Sequence, residues 1–336
     1  MISRSRKTVV SVVAAITLLV AAAAACIVGS TSVGLADVFA LLTGGEISNT
    51  AQNILINVRF PRVAAALLAG SALAVAGVIL QGVLDNPLAS PNIIGINAGA
   101  GFLVLLSASV LPHFLWLPPV AAFVGALISA AFIFLIAMGA KTSRLTVVLA
   151  GIAITAIFGA GMNTILIVDP AAYVASSTFL VGGFHSGIRF DQLIFPAVFI
   201  LPGVLLAIFV ANKLNIMALG DQTAHSLGMN VARTRLLLLA LAAILAGAAV
   251  SIAGLLSFVG LIVPHLMRFF VGHDNRILAP LSAIVGATFV VACDLLARVL
   301  FAPYEIQVGI IMAFLGGPFF IYLILKNRRG LGGSHE

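Results

Sequence analysis

The chain has 336 residues, of which 62% are hydrophobic and 8% charged, with a mean hydropathy of +1.23 and a formal net charge of +7. Soluble domains carry about 25% charged residues, so this composition excludes a soluble domain of any size and indicates a polytopic membrane protein. Cys26 and Cys293 both lie in apolar runs, which excludes a disulfide framework. The basic residues are spread along short interruptions, so the positive balance reads as topology information and no nucleic-acid partner is expected.

Taken in order, Arg4, Arg6 and Lys7 precede an apolar run from Val9 to Gly29. That run is long enough to span a bilayer, whereas the apolar core of a signal peptide has about 7–15 residues. A retained first helix is the reading adopted, with a cleaved leader as the alternative. Further apolar runs give, with the first, about ten helices, near 8–29, 61–84, 93–111, 117–140, 145–168, 192–212, 234–252, 255–271, 277–298 and 307–326. The stretch 236–271 is almost continuous. It is either two helices with a tight turn at Ala253 and Gly254, or one long helix with a re-entrant piece.

With the N-terminus in the cytoplasm, 13 of the 17 basic residues fall inside. Arg59, Arg62, Arg189 and Arg298 remain outside. An odd number of spans would spoil this split, so both termini are expected in the cytoplasm.

Local chemistry sets the boundaries. Asn86 precedes Pro87, and a residue before proline is pushed out of the helical region, which ends the second span. Ser90 offers an N-cap and Pro91 an N1 residue for the third. Pro196, Pro202, Pro264 and Pro318 lie in or at the ends of spans and predict kinks or broken helices. Between Lys213 and Arg235 runs KLNIMALGDQTAHSLGMNVARTR, the most polar cytoplasmic segment. Asp221 as N-cap and Gly228 as C′ residue bracket a short helix there, and Asn230 caps the next. Such a segment is either a helical connector or a rigid docking element.

Three groups of residues carry a family resemblance. The first is R-F-P-R (59–62), the Gly77 to Gln81-Gly82 run, and N-P-L-A-S-P followed by G-I-N-A-G-A. The second is L-G-D-Q-T-A-H-S-L-G in the polar segment. The third is F-V-G-L-I-V-P-H-L-M-R with C-D-L-L-A-R (293–298). Together they resemble the FecCD-type permeases of ABC importers for iron–siderophore, haem and cobalamin. Gln307 stands where that family often has proline.

The resemblance implies an all-α integral membrane fold of type II importer kind, one permease domain over 1–336, with spans two to five and seven to ten as inverted relatives. It implies that Gly220, Asp221, Ala224, His225, Leu227 and Gly228 receive the motion of a separate ATP-binding cassette subunit. It also implies that Arg59, Arg62 and Arg298 bind glutamates of an extracytoplasmic substrate-binding protein. Snorkelling to lipid headgroups is the simpler account of those arginines. Asp294 and Arg298, four apart, can pair on one helix face. His265 is read as a structural hydrogen bonder.

The chain has no G-x-x-x-x-G-K-[ST] and no H-E-x-x-H, so it is not expected to bind ATP through a P-loop, hold a metal, use a cofactor or act as an enzyme. The reading is the permease of a bacterial inner-membrane importer of an iron chelate, a homodimer or a heterodimer with a similar subunit. Gln81, Asn86, Pro87, Thr142 and Ser143 are the candidates for the translocation path and gate. A secondary transporter is the runner-up.

Overall fold

A computed structural model describes the chain except residues 1–2, 30–32, 46, 93, 115, 140–143, 185–186 and 332–336. Every regular element among the described residues is helical. The helices are α1 (Arg4–Ile27), α2 (Leu35–Thr43), α3 (Asn49–Ile54), α4 (Phe60–Leu84), α5 (Ile96–Val110), α6 (Leu117–Gly139) and α7 (Arg144–Val168). They continue with α8 (Pro170–Val181), α9 (Phe190–Met217), α10 (Asp221–Ser226), α11 (Val231–Ala253), α12 (Val259–Val271), α13 (Asn275–Val299) and α14 (Val308–Leu331). Leu55–Arg59 joins α3 to α4 through one wide π turn.

Among the described residues seven helical stretches are long and apolar enough to cross a bilayer, and four shorter apolar helices accompany them: α5, α12 and α14, which fall on runs read as spans, and α8, which does not. The mid-chain ambiguity resolves as two helices. α11 ends at Ala253, Gly254 takes φ 65°, and α12 starts at Val259. Backbone freed by this break is satisfied across helices: the Leu255 N–H donates to Phe179 O and the Gly183 N–H to Ala253 O, both at 2.9 Å. The prolines at 196, 202, 264 and 318 all lie inside continuous helices.

Two local expectations are corrected. Ser90 and Pro91 do not start α5, which begins only at Ile96 behind Gly95 with φ 86°. Turns at 87–88, 91–92 and 94–95 precede it, the first closed by Asn86 Oδ1 accepting from the Leu88 N–H at 2.9 Å. The left-handed residue there is a glycine for two reasons. A Cβ would meet Thr155 Oγ1 at 2.7 Å and the Gly151 carbonyl oxygen at 2.8 Å; the Gly95 carbonyl in turn accepts from buried Ser129 at 2.7 Å. The second correction is α8, which lies in a stretch read as connection. Asp169 caps it, accepting from the Ala172 N–H at 3.1 Å, and Pro170 opens it. A hydrogen bond from Ser109, with that backbone donor, holds the Asp169 carboxyl below its usual range.

The helices form two sets with one rhythm. α4, α5, α6 and α7 have 25, 15, 23 and 25 residues, and α11 to α14 have 23, 13, 25 and 24. In both sets a long buried helix is followed by a break and a half-length helix. The sets interlock crosswise, α4 packing on α13 and α12 while α11 packs on α6. Small residues make this possible: the α4 backbone at Gly77 lies against Gly260 of α12, and at Gly70 against Gly286 of α13. Close backbone approach of this kind is what joins helices in lipid.

Side-chain contacts divide the helix ends into two faces. On the N-terminal face, Arg6 donates to Phe269 O and Asn215 Nδ2 to Asp274 Oδ1 at 2.8 Å. Burial alone would raise the Asp274 carboxyl, but the Asn215 bond, the Arg276 N–H and the nearby Arg276 and Lys7 charges bring it below its usual range. The opposite face carries the ends of α1 and α13, the start of α4, and the turn before α14.

Candidate functional site

The opposite face holds a buried charge cluster. Arg62, in the first turn of α4, puts Nε 2.9 Å from Asp294 Oδ1 and Nη1 2.7 Å from Glu305 Oε2. Arg298 Nε lies 3.1 Å from the other Asp294 oxygen, the i,i+4 pair expected from sequence. Asp294 is therefore the common carboxylate of two arginines, with a side chain only 1% exposed, whereas the Glu305 side chain is 38% exposed.

The remaining donors finish α1. A helix leaves its last carbonyls without partners, and here arginines take them. Arg59 Nη1 donates to Cys26 O at 2.8 Å and to Ile27 O at 2.7 Å, and Arg298 donates to Ala25 O and Val28 O at 3.1 and 3.3 Å. Positive charge at a helix C-terminus is also favoured by the helix dipole. The structure brings Arg59, Arg62 and Arg298 together as the sequence suggests, but beneath the surface. They do not snorkel outward; they fasten α1, α4 and α13 to one another.

The N-terminal face carries a knob. α10 is a six-residue helix between Gly220, φ 95°, and Gly228, φ 82°. Its C-terminal end is a Schellman closure, with the Met229 N–H on Ala224 O at 3.1 Å and the Gly228 N–H on His225 O at 2.9 Å. Asn230 caps α11 as expected, accepting from the Arg233 N–H at 3.0 Å. Asp221 is not the N-cap: Gly220 holds that position, and both Asp221 oxygens instead accept from buried Arg235 Nη2 at 2.9 Å. Ala224 faces inward and is fully buried, while His225 is exposed. Leu219 and Leu227 are 60% and 62% exposed, so a pinned helix projects with leucines uncovered on either side of it.

The path candidates separate. Gln81 is buried in α4; its amide donates to Gly260 O at 3.0 Å, and its Oε1 accepts from Arg268. It locks α4 to α12. Asn86 and Pro87 are exposed on the N-terminal face. Thr142 and Ser143 lie outside the described residues. His265 makes edge-on ring contacts with Phe269 and Phe319, centroids 5.2 and 6.2 Å away. No group of three or more metal-ligating side chains occurs among the described residues.

The sequence model of the FecCD transport family matches residues 16–326. The chain belongs to the FecCD transport family. As a FecCD permease it is a membrane component of ABC importers and not itself an enzyme. It is 37% identical over 311 residues to the hemin transport system permease protein HmuU of Yersinia pestis, covering 91% of this chain and 93% of that one. It is 35% identical to the iron(3+)-hydroxamate import system permease protein FhuB of Bacillus subtilis, covering 90% and 79%. A solved metal-chelate type ABC transporter in an inward-facing conformation superposes with a TM-score of 0.83 at 28% identity, covering 93% of this chain and 97% of that one.

In this FecCD permease, sequence reasoning missed Glu305, Arg235 and Arg268 as partners. The signal for each was a charged residue in or beside an apolar span, where an unpaired charge is costly. Spacing alone does not pair residues 14, 187 or 243 positions apart.

Proposed function

We propose that this permease passes a ferric siderophore from a substrate-binding protein to the cytoplasm of a bacterium, driven by a separate ATPase subunit and working as a dimer. The observation that carries the reading is the α10 knob. A short helix closed at its end and ion-paired to α11 transmits a displacement that a slack loop would absorb, and its flanking leucines offer apolar area to a partner. Hydroxamate and hemin relatives support an iron chelate as cargo. Haem is the second reading, favoured by the 91% of the chain that aligns with the hemin permease; cobalamin stands behind it.

The test is ATP hydrolysis beside uptake of ferric hydroxamate, haem and cobalamin in proteoliposomes holding permease, ATPase and binding protein. Ser226→Pro removes a backbone donor and clashes with the preceding turn, at a cost of about 3 kcal/mol. It is expected to melt α10, leave the spans inserted, and abolish or uncouple transport. Wild-type uptake per ATP in that variant would reduce α10 to a connector. Uptake without ATP would return the secondary-transporter reading.

The orientation follows from charge. We place the knob face in the cytoplasm, because the span order read from the sequence assigns 13 of the 17 basic residues to the cytoplasmic side, the α10 segment with them. Single cysteines at Ser226 and Tyr304, both exposed, in a chain lacking Cys26 and Cys293, should respectively resist and accept an impermeant maleimide in intact cells. The reverse labelling overturns the orientation.

The arginine cluster is our proposed docking point for the binding protein. Since its arginines are buried, an incoming carboxylate must take the place of Glu305 on Arg62. Charge-guided docking slows as salt rises, and an association rate indifferent to salt would remove the cluster from this role.

A further inference from the structure

A cavity of about 540 Å³ opens among the helix ends opposite the knob. Its walls come from α5, the turn after it, α8, the start of α9 and the end of α11, including Ala108, Phe114, Trp116, Ala175, Phe179 and Phe195. Its volume suits a small ligand, and its chemistry limits which. The Ser107 and Ser251 hydroxyls donate to carbonyls of their own helices, Val104 O and Ala248 O, each at 2.8 Å. Gln192 Oε1 accepts from the Arg189 N–H at 3.3 Å. Ser176 and the Gln192 amide nitrogen are the remaining polar groups of otherwise apolar walls, so an oxygen-rich chelate would leave most of its polar atoms unpaired there, a cost that an apolar chain does not incur.

The mouth is different. Asp191 lines it and is ion-paired with Arg189 at 3.1 Å, and both side chains are exposed. A second hollow shares Asp191 and is completed by Arg189, Phe190, Pro61, Asn57 and Ile56. Leu111, Phe114 and Trp116 line the cavity and are exposed, and tryptophan favours the membrane–water interface.

We propose that the cavity takes one acyl chain of a zwitterionic phospholipid, its phosphate on Arg189 and its ammonium on Asp191. The adjacent cation and anion match the two charges of such a headgroup, and the apolar walls match its chain. The proposal does not depend on which chelate is carried.

Trp116 is the sole tryptophan of the chain, so its fluorescence reports on the cavity directly. Phosphatidylethanolamine with brominated acyl chains, titrated into the detergent-purified chain, is expected to quench Trp116 saturably at one lipid per chain. Ala108→Phe fills the cavity from α5 and Ala175→Phe from α8. Either should abolish the saturable phase while gel-filtration behaviour is retained, and two independent variants guard against a folding failure in one. Brominated phosphatidylglycerol, which lacks the ammonium, should bind about threefold more weakly, the scale of an exposed ion pair, and Asp191→Asn should erase that difference. Quenching that is linear and equal in wild type and both filled variants overturns the site. Saturable quenching with no headgroup preference in the wild type overturns the assignment to Arg189 and Asp191.

Discussion

Replacing Asp294 by asparagine is expected to destabilise the permease by about 3–5 kcal/mol, because breaking a buried ion pair leaves its partner uncompensated. Here one carboxylate serves Arg62 and Arg298 together, so its loss leaves Arg298 without a carboxylate and Arg62 with Glu305 alone. Arg298 also holds carbonyls at the end of α1, and the damage should spread to that helix. Glu305→Gln is the contrast. That carboxylate also meets Arg62, but it is partly exposed and water can take its place, so its loss should cost no more than about 1 kcal/mol. Thermal unfolding of the two variants in the same detergent, followed by the monodisperse fraction, reads the difference. Equal losses would mean that the cluster is not organised around Asp294.

Gly77→Val is expected to separate α4 from α12. A Cβ at this position would overlap the Gly260 carbonyl, and the obstacle is backbone and not a side chain that can turn away. Overpacking costs about 1–3 kcal/mol where neighbours can shift, and this site lies at the upper end of that range. One turn further along, Gln81 binds the carbonyls of Gly260 and Leu261, so the displacement should break those bonds as well. Gly159→Ala in α7 is the control, since a Cβ there meets nothing within 4 Å. Loss of monodisperse protein in both variants, or in neither, would refute the packing account.

Much of this molecule was readable from the chain. Long apolar runs mark spans because lipid admits only helices with internally satisfied backbone. Gly228 and Asn230 act as cap residues because capping is chemistry of near neighbours, and Asp294 with Arg298 follows from helical spacing. What escaped depends on partners distant in sequence. The late start of α5 rests on Ser129 reaching the Gly95 carbonyl from 34 residues away. α8 is too short to announce itself as a span, although Asp169 and Pro170 give it a proper beginning. Asp221 had the chemistry of an N-cap, yet Arg235 outcompetes the backbone donors for its carboxylate.

The pairing of Arg62 with Asp294 has a consequence for how the protein is made. The two residues are 232 positions apart, and at ordinary translation speeds the ribosome needs on the order of tens of seconds to cover that distance. During that interval α4 has left the translocon with a basic end whose acidic partner does not yet exist. Arg59 can already meet the carbonyls at the end of α1, but Arg62 must wait at the water boundary until α13 arrives. Assembly is thus completed from the last quarter of the chain, and a nascent chain stopped before α13 presents an unneutralised basic helix end that membrane quality control can recognise.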